Sequence, residues 1–290
     1  MGAVLIRVVG QSLRPVTVLA SEIGALRETD LSRRLASGAV PSELTSVVDK
    51  LNGLLTRLDQ AFAREKAFTA DVAHELRTPL AGLRSTLEVC RLRPRESSAY
   101  ESAIDECRGI VDRMEAMVES LLLLARSDAG QVAIECRDAD LGTLVSQTWA
   151  QFEYRASRRG LNVTRQTPSP CLAATDPDKL QIVLHNLMDN AVSYVNEGGS
   201  ICINVHSIAA IPTIEIANTG SLIAASETPR LFERFWRGGD ARTDVGLHCG
   251  LGLSLTQRLM SLIGGEIDIK TTSGGQFVVS LKLPAATRAA

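Results

Sequence analysis

Apolar residues recur at helical spacing from residue 48 onward, and this pattern constrains the fold more than any other feature. The positions Val48, Leu51, Leu55, Leu58 and Phe62 follow one another at alternating steps of three and four residues. Such a heptad seam is typical of a helix that packs against a partner helix. The residues Pro41, Ser42 and Glu43 precede the seam and predict the start of this helix.

The apolar pattern changes phase downstream of the seam. Its next members are Phe68, Val72, Leu76, Leu83 and Leu87. Pro79 is the first helix-breaking signal, and it predicts a kink because proline removes a backbone donor and clashes with the preceding turn. A phase change can transmit a signal along a helix or can be a simple stutter in packing, and the sequence leaves both interpretations open.

A second long helix follows the polar, proline-bearing turn at residues 91–98. Its apolar side consists of Ile104, Ile110, Val111, Met114, Met117, Val118, Leu121, Leu122 and Leu124. The two helices predict an antiparallel hairpin. One hairpin buries too little apolar surface, whereas two copies make a four-helix bundle, so we expect a homodimer.

One histidine on the first helix has chemically suggestive neighbours. His74 is followed directly by Glu75 and stands four residues before Thr78, which places His74 and Thr78 on the same helical face. Imidazole is a nucleophile near neutral pH, and an adjacent carboxylate can hold its tautomer and accept the ring proton. This arrangement fits a histidine that takes up and returns a phosphoryl group. The alternative is a surface histidine on a charged helix.

Composition limits the remaining possibilities. The 290 residues allow about two domains. The net charge of -2 does not indicate a basic surface that would bind nucleic acid. The six cysteines are scattered without a C-x-x-C pair, which indicates reduced thiols rather than a zinc site or disulfide framework.

Residues 1–9 are apolar except for Arg7 and too short to span a bilayer. They are either the stump of a transmembrane helix or the apolar start of a soluble helix.

The character of the chain changes near residues 128–131, where we place a domain boundary. Short alternating runs then predict strands at 132–136, 201–205, 214–216, 266–270 and 276–283. Helical segments lie between them near 141–157, 177–195 and 251–263. The pattern predicts an α+β domain with its strands in one sheet and its helices on one face.

Two further motifs in this half suit a nucleotide. Asn186 and Asn190 are four residues apart on one predicted helix, and an amide oxygen is a suitable ligand for Mg²⁺. Gly250 and Gly252 open another helix, where backbone N–H groups and the helix dipole favour phosphate. The alternative interpretation of the asparagines is a capped or solvated pair.

Taken in order, these motifs resemble those of bacterial two-component sensor histidine kinases over essentially the whole chain. Residues 74–80 match the phosphoacceptor box, and residues 186–191 match the asparagine box. Residues 218–220, 232–235 and 250–252 match the first glycine box, the phenylalanine box and the second glycine box. Residues 11–65, with Arg14-Pro15 and Pro41 to Leu44, resemble a HAMP signal relay. The pairing of the Asn-x-Gly first glycine box with the segment at 231–237 is similar to the pairing in heavy-metal-type sensor kinases.

The resemblance implies an α + α/β sandwich architecture. A helical HAMP region and a dimerising helical hairpin precede an α+β two-layer ATP-binding domain of the GHKL type. The resemblance divides the chain into the stump of a transmembrane helix at 1–9, a signal relay at 10–65, a phosphotransfer hairpin at 66–128 and a catalytic domain at 131–286. The chain would be the cytoplasmic portion of an inner-membrane sensor, joined to the membrane by an upstream segment.

The resemblance also implies roles for single residues. His74 is the phosphorylated nucleophile and Glu75 its acid/base neighbour, while Thr78 positions water for dephosphorylation of a response regulator. Asn190 holds Mg²⁺, and Asn186 and Tyr194 lie near the phosphates of ATP. The remaining nucleotide contacts are Asn218 at the adenine amine and Gly220, Gly250, Leu251 and Gly252 around the ATP lid.

The chain departs from the family pattern at four positions. Asn218 stands where the first glycine box usually has aspartate, and Leu222 and His248 replace glycines. Ser193 stands where many relatives have a lysine. These departures keep two alternatives open beside the kinase: a protein that acts mainly as phosphatase of its regulator, and a non-catalytic dimeric scaffold.

Overall fold

The structure, a computed structural model, describes residues 16–24, 33–35, 42–168, 170–238, 249–272 and 274–286. It divides into two compact units, Met1–His74 and Glu75–Ala290. The expectations for residues 1–9, Arg14-Pro15, Pro41 and His248 lie outside the described residues.

The first unit has a small core of its own. Residues 16–24 are helical (α1), and the long helix α2 (Ser42–Arg91) starts where the sequence predicted. Leu19, Leu35, Val48 and Leu55 form a buried cluster, against which Leu51 packs. The Asn52 amide holds the incoming segment, because its Oδ1 accepts from the Leu35 N–H at 2.9 Å and its Nδ2 donates to the Leu35 carbonyl at 3.1 Å.

The residues of the predicted heptad seam fall into a buried group and an exposed group in the structure. Val48 and Leu55 are buried within the unit, whereas Leu58 and Phe62 are 39% and 43% exposed. Val47 and Leu54, which the sequence analysis had not assigned to the seam, are exposed on the same stripe as Leu58 and Phe62. The helix continues through Pro79 to Arg91, so the kink stays a prediction.

The second unit contains the end of α2, the helix α3 and the α+β region. Its helices are α3 (Ser97–Asp128), α4 (Leu141–Trp149), α5 (Glu153–Arg158), α6 (Pro177–Tyr194) and α7 (Gly252–Leu262), with a 3₁₀ helix at Ala225–Phe232. Its strands are β1 (Arg137–Asp140), β2 (Asn162–Gln166), β3 (Leu172–Thr175), β4 (Ser200–Ile208), β5 (Ile211–Asn218), β6 (Glu266–Thr271) and β7 (Phe277–Lys282).

The strands form two sheets rather than the single sheet that the sequence predicted. A five-stranded mixed sheet has the order β2-β4-β5-β7-β6, in which only β2 and β4 run parallel. A separate antiparallel pair joins β1 to β3. The prediction of a strand at 132–136 was wrong, because these residues have no ladder partner. The Glu135 N–H donates instead to the Asp176 carboxylate at 2.9 Å.

The main core lies between one face of the large sheet and the helices. Alternation along β4 turns Ile201, Ile203 and Val205 inward, and Ile203 is in register with Ile216 of the neighbouring strand. Opposite them, α6 buries Leu180, Leu184 and Met188 completely. Each such side chain contributes about 1.5–3 kcal/mol of burial free energy, so α6 is anchored firmly against the sheet.

Local sequence explains where α6 begins and ends. Asp176 caps its N-terminus by accepting from the N–H groups of Asp178 at 3.0 Å and Lys179 at 3.1 Å. At the other end, the Arg159 guanidinium donates to the carbonyls of Val192, Ser193 and Val195. Both ends of the helix that carries Asn186 and Asn190 are therefore fixed.

Candidate functional site

The structure brings the two asparagines of α6 next to the start of α7. A methyl group placed on Gly252 would lie 3.9 Å from Asn190 Nδ2 and 4.0 Å from Asn186 Cγ. Gly252 is the first residue of α7, where backbone N–H groups have no partner within the helix. Two amides and a helix N-terminus thus meet in one seam between α6 and α7.

This seam contains polar atoms that need a partner. Asn186 Nδ2 is buried and makes no hydrogen bond within the described residues. Thr256, one turn after Gly252 on the same face of α7, is fully buried, and its Oγ1 also lacks a hydrogen bond there. Buried polar groups are nearly always paired, so an acceptor oxygen on a phosphate or on a metal-bound water fits Asn186. Thr256 was not among the residues predicted from the sequence, although its hydroxyl one turn beyond Gly252 was a visible signal.

The neighbouring amide is suited to a cation. Asn190 is half-buried and presents a neutral amide group beside Gly252. Mg²⁺ prefers oxygen ligands and retains several waters, so a single amide oxygen together with phosphate oxygens is an adequate set. The residues present therefore fit a magnesium-bound nucleotide. Tyr194, at the end of the same helix, is 38% exposed.

Gly250 is required by the close approach of the phenylalanine box. Its φ is +72°, and a Cβ there would lie 2.8 Å from the carbonyl carbon of Phe235. The Phe235 N–H donates to the Gly250 carbonyl at 3.0 Å, with Phe235 itself at a φ of +62°. A side chain at position 250 would be strained by both its dihedral and its neighbour. Leu251, the next residue, is 1% exposed and anchors the start of α7.

The first glycine box forms a second, separately braced loop. Asn218 ends β5 and is 5% exposed, and its Nδ2 donates to the Thr219 carbonyl at 3.3 Å. Gly220 has a φ of +84°, and a Cβ on it would lie 2.6 Å from Asn196 Oδ1. That same oxygen accepts from Thr219 Oγ1 at 2.7 Å. The loop after α6 therefore packs directly on this box.

The segment that resembles a phosphoacceptor box, residues 74–80, lies on α2. His74 and Thr78 are exposed, and Glu75 is half-buried. The helical assignment places His74 and Thr78 on one face, as the spacing predicted.

Glu75 has an electrostatic effect on Cys249, the residue before the second glycine box. Burial chiefly, and the Glu75 carboxylate in addition, raise the pKa of the Cys249 thiol, whereas backbone hydrogen bonding and Arg237 act in the opposite direction. Cys249 precedes Gly250 directly. The side chain next to the histidine is thus within electrostatic range of the segment that opens α7.

Three family models match the chain in succession. Residues 13–60 match the HAMP domain of PhoQ-like sensor proteins, and residues 64–130 match the His Kinase A phospho-acceptor domain. Residues 175–287 match the histidine kinase-, DNA gyrase B- and HSP90-like ATPase, which implies ATP binding. These domains in this order define a class, and the chain belongs to the sensor histidine kinases.

Within that class the chain is similar to three named sensors. It is 31% identical to the sensor protein CopS of Pseudomonas syringae pv. tomato over 83% of its length, and 30% identical to the sensor histidine kinase CusS of Escherichia coli K12 over 92%. It is 30% identical to the sensor protein CzcS of Cupriavidus metallidurans over 98%. It covers 49%, 56% and 60% of these proteins, so it spans about half the length of its curated relatives.

Solved structures share the fold. The histidine kinase AdeS of Acinetobacter baumannii superposes with a TM-score of 0.59 at 22% identity, covering 74% of this chain and 98% of AdeS. The histidine kinase ThkA, solved in complex with the response regulator protein TrrA, gives a TM-score of 0.62 at 19% identity over 78% of this chain and 64% of that one.

Proposed function

We propose that the chain is the catalytic part of a sensor histidine kinase that phosphorylates His74 from ATP and passes the phosphoryl group to an aspartate of a response regulator. The observation that carries this proposal is the seam in which Asn186, Asn190 and Gly252 meet around an unsatisfied buried donor. The same chain has a histidine with an adjacent acid on an exposed helical face.

The proposed domain division follows the sequence analysis: a relay at 10–65, a phosphotransfer hairpin at 66–128 and a catalytic domain at 131–286. The three family matches support it. Within the described residues, no helix is both long enough and apolar enough to cross a bilayer.

In the proposed reaction, a ring nitrogen of His74 attacks the γ-phosphorus of ATP. A nitrogen–phosphorus bond forms as the bond from the γ-phosphorus to the bridging oxygen breaks, and ADP leaves with that electron pair. Glu75 accepts the proton that the imidazole loses. Asn190 would hold Mg²⁺, which when bound would neutralise charge on the phosphates.

The remaining residues bind and orient the nucleotide. Asn186 donates to a phosphate oxygen, and Tyr194 borders the phosphates. Gly250, Leu251 and Gly252 bring the first N–H groups of α7 to the same oxygens. Asn218 and Gly220 hold the adenine at the end of β5.

The proposed partners are a second copy of the chain and the receiver domain of a response regulator, with no nucleic acid. Thr78 would orient water against the regulator's aspartyl phosphate. The similarity to CopS, CusS and CzcS, together with the Asn-x-Gly box, supports the heavy-metal type of sensor and a place on the cytoplasmic side of a bacterial inner membrane.

Incubation with γ-labelled ATP and Mg²⁺ tests the proposal. We expect label that is lost in acid and survives base, as a phosphohistidine does. His74→Gln should abolish it, whereas His185→Gln, at another exposed histidine, should retain it. Label that persists in His74→Gln, or none in the unmodified chain, would refute the proposal.

A further inference from the structure

Asn218 occupies a position where its side chain would determine which ligand groups can bind at the end of β5. It is the last residue of β5, in register with Ile201 on one side and Phe277 on the other. With 5% of its surface exposed, it has few solvent contacts that could compensate for an unsuitable ligand. A base edge that meets this side chain must be matched by the side chain itself.

The residues that follow Asn218 are held in place by hydrogen bonds of their own. Thr219 Oγ1 donates to Asn196 Oδ1 at 2.7 Å and accepts from the Ser200 N–H at 3.0 Å. On the other side, the Ser221 N–H donates to the Gly275 carbonyl at 2.9 Å. Because these bonds fix the main chain around Asn218, the adaptable group at this point is the Asn218 amide.

That amide can present either hydrogen-bonding character. Its Nδ2 donates to the Thr219 carbonyl, which leaves Oδ1 as an acceptor for an exocyclic amine. Rotation of the amide by half a turn would present Nδ2 as a donor to a carbonyl oxygen. Within the described residues, the rotation replaces the bond to the Thr219 carbonyl, whose 3.3 Å length is beyond the usual range, by a less favourable approach of Oδ1 to that carbonyl, which the bond to the base must offset. A carboxylate at the same position accepts only and would repel a carbonyl oxygen.

We propose that Asn218 makes the nucleobase site permissive at the purine 6-position, so that the chain binds 6-oxo as well as 6-amino purine nucleoside triphosphates. The inference rests on the proposed function, because it takes the end of β5 as the base-binding site. It goes further by naming the substrate class: purine triphosphates that carry either an amino or an oxo group at position 6.

Binding calorimetry with ATP and inosine triphosphate tests the proposal, because these nucleotides differ only at the 6-position and the adjoining ring nitrogen. The full chain with His74→Gln serves as parent, so that the measured heat is not that of phosphoryl transfer to His74. We expect the two dissociation constants to agree within about tenfold. Adding Asn218→Asp should raise their ratio about tenfold or more, since the carboxylate cannot donate.

Gln166→Glu is the matched control, because it adds the same charge at an exposed amide side chain of β2 and should leave the ratio unchanged. A parent ratio above about tenfold would overturn the proposal even if Asn218→Asp failed to fold. An unchanged ratio in a folded Asn218→Asp variant would also overturn it. Binding of both nucleotides without labelling of His74 in the unmodified chain would refute the kinase and leave the base selectivity standing.

Discussion

At the residue scale, Asp176 shows how one buried carboxylate supports the site from outside it. Its side chain is 4% exposed, and it accepts from the N–H groups of Glu135, Asp178 and Lys179. Burial alone would raise its pKa, but these three hydrogen bonds and the Lys179 charge lower the pKa of Asp176 overall. The charged form is therefore the one that stabilises the start of α6, almost three turns before Asn186.

Asp176→Asn should lower the free energy of unfolding by about 1–2 kcal/mol at pH 7. The pKa of Asp176 is lower in the folded chain than in the unfolded chain, where it is about 3.9. The stabilisation by its charged carboxylate is therefore complete above about pH 4. It is lost as the pH falls through the folded pKa. Urea unfolding at pH 7, 4 and 3 should therefore show a difference from the unmodified chain that shrinks only below about pH 4.

Asp178→Asn, at an exposed carboxylate of the same helical turn, is the control and should change stability much less. A difference for Asp176→Asn that stayed constant across this pH range would mean that its charge does not stabilise the fold.

At the element scale, the end of α3 is held by two arginines from different parts of the ATPase region. Arg258 of α7 donates from Nε to Ser127 Oγ at 2.9 Å and from Nη2 to the Ser127 carbonyl at 2.7 Å. Ser127 is fully buried. The exposed Asp128 carboxylate pairs with Arg234 of the phenylalanine box and with Arg258 at 3.5 Å. The end of α3 is therefore tied to α7, the helix that begins at Gly252.

Burial predicts that these two arginines differ in energetic importance. Arg258→Ala should destabilise the chain by about 1–3 kcal/mol, because it removes both Arg258 hydrogen bonds to buried Ser127, whose carbonyl keeps the bond from the Gly130 N–H at 3.2 Å. Arg234→Ala removes one surface ion pair and should cost about 1 kcal/mol or less. Urea midpoints of the two variants at equal salt make the comparison. Equal losses would show that the exposed pair contributes as much as the buried bonds.

At the scale of the whole molecule, apolar stripes remain on the surface of a single chain. Ile104, Val111 and Val118 recur every seven residues on α3 and are 65%, 42% and 43% exposed. Leu122 continues the stripe, and Leu80 and Leu87 are exposed on α2. A contiguous stripe of this kind on a helical hairpin indicates that the hairpin packs against a second helical pair. The first unit has a comparable stripe from Val47 to Phe62.

We therefore expect a homodimer by light scattering at tens of micromolar. The double variant Val111→Glu and Val118→Glu should be monomeric, because four charges would be buried at the interface of each dimer. Arg113→Glu introduces the same residue type on an exposed position away from the stripe and should remain dimeric. A monomeric unmodified chain would contradict the bundle.

The sequence determined the features that depend on spacing within one segment. The start of α2 at Ser42, the helices around the two asparagines and around Leu255, and the strands at 201–205 and 266–270 follow from apolar periodicity and capping residues. The order of the motifs likewise identified the family. These features were predictable because each is encoded by residues a few positions apart.

Only the tertiary structure decided which segments meet. The edge strand β2 has almost no apolar alternation, so periodicity did not predict it. Residues 132–136 alternate but form no strand, and the Glu135 N–H among them donates to Asp176. The approach of Gly252 to Asn190, of Phe235 to Gly250 and of Arg258 to Ser127 joins residues 62, 15 and 131 positions apart, respectively. No local pattern encodes such contacts, because they arise from packing of whole helices and loops against the sheet.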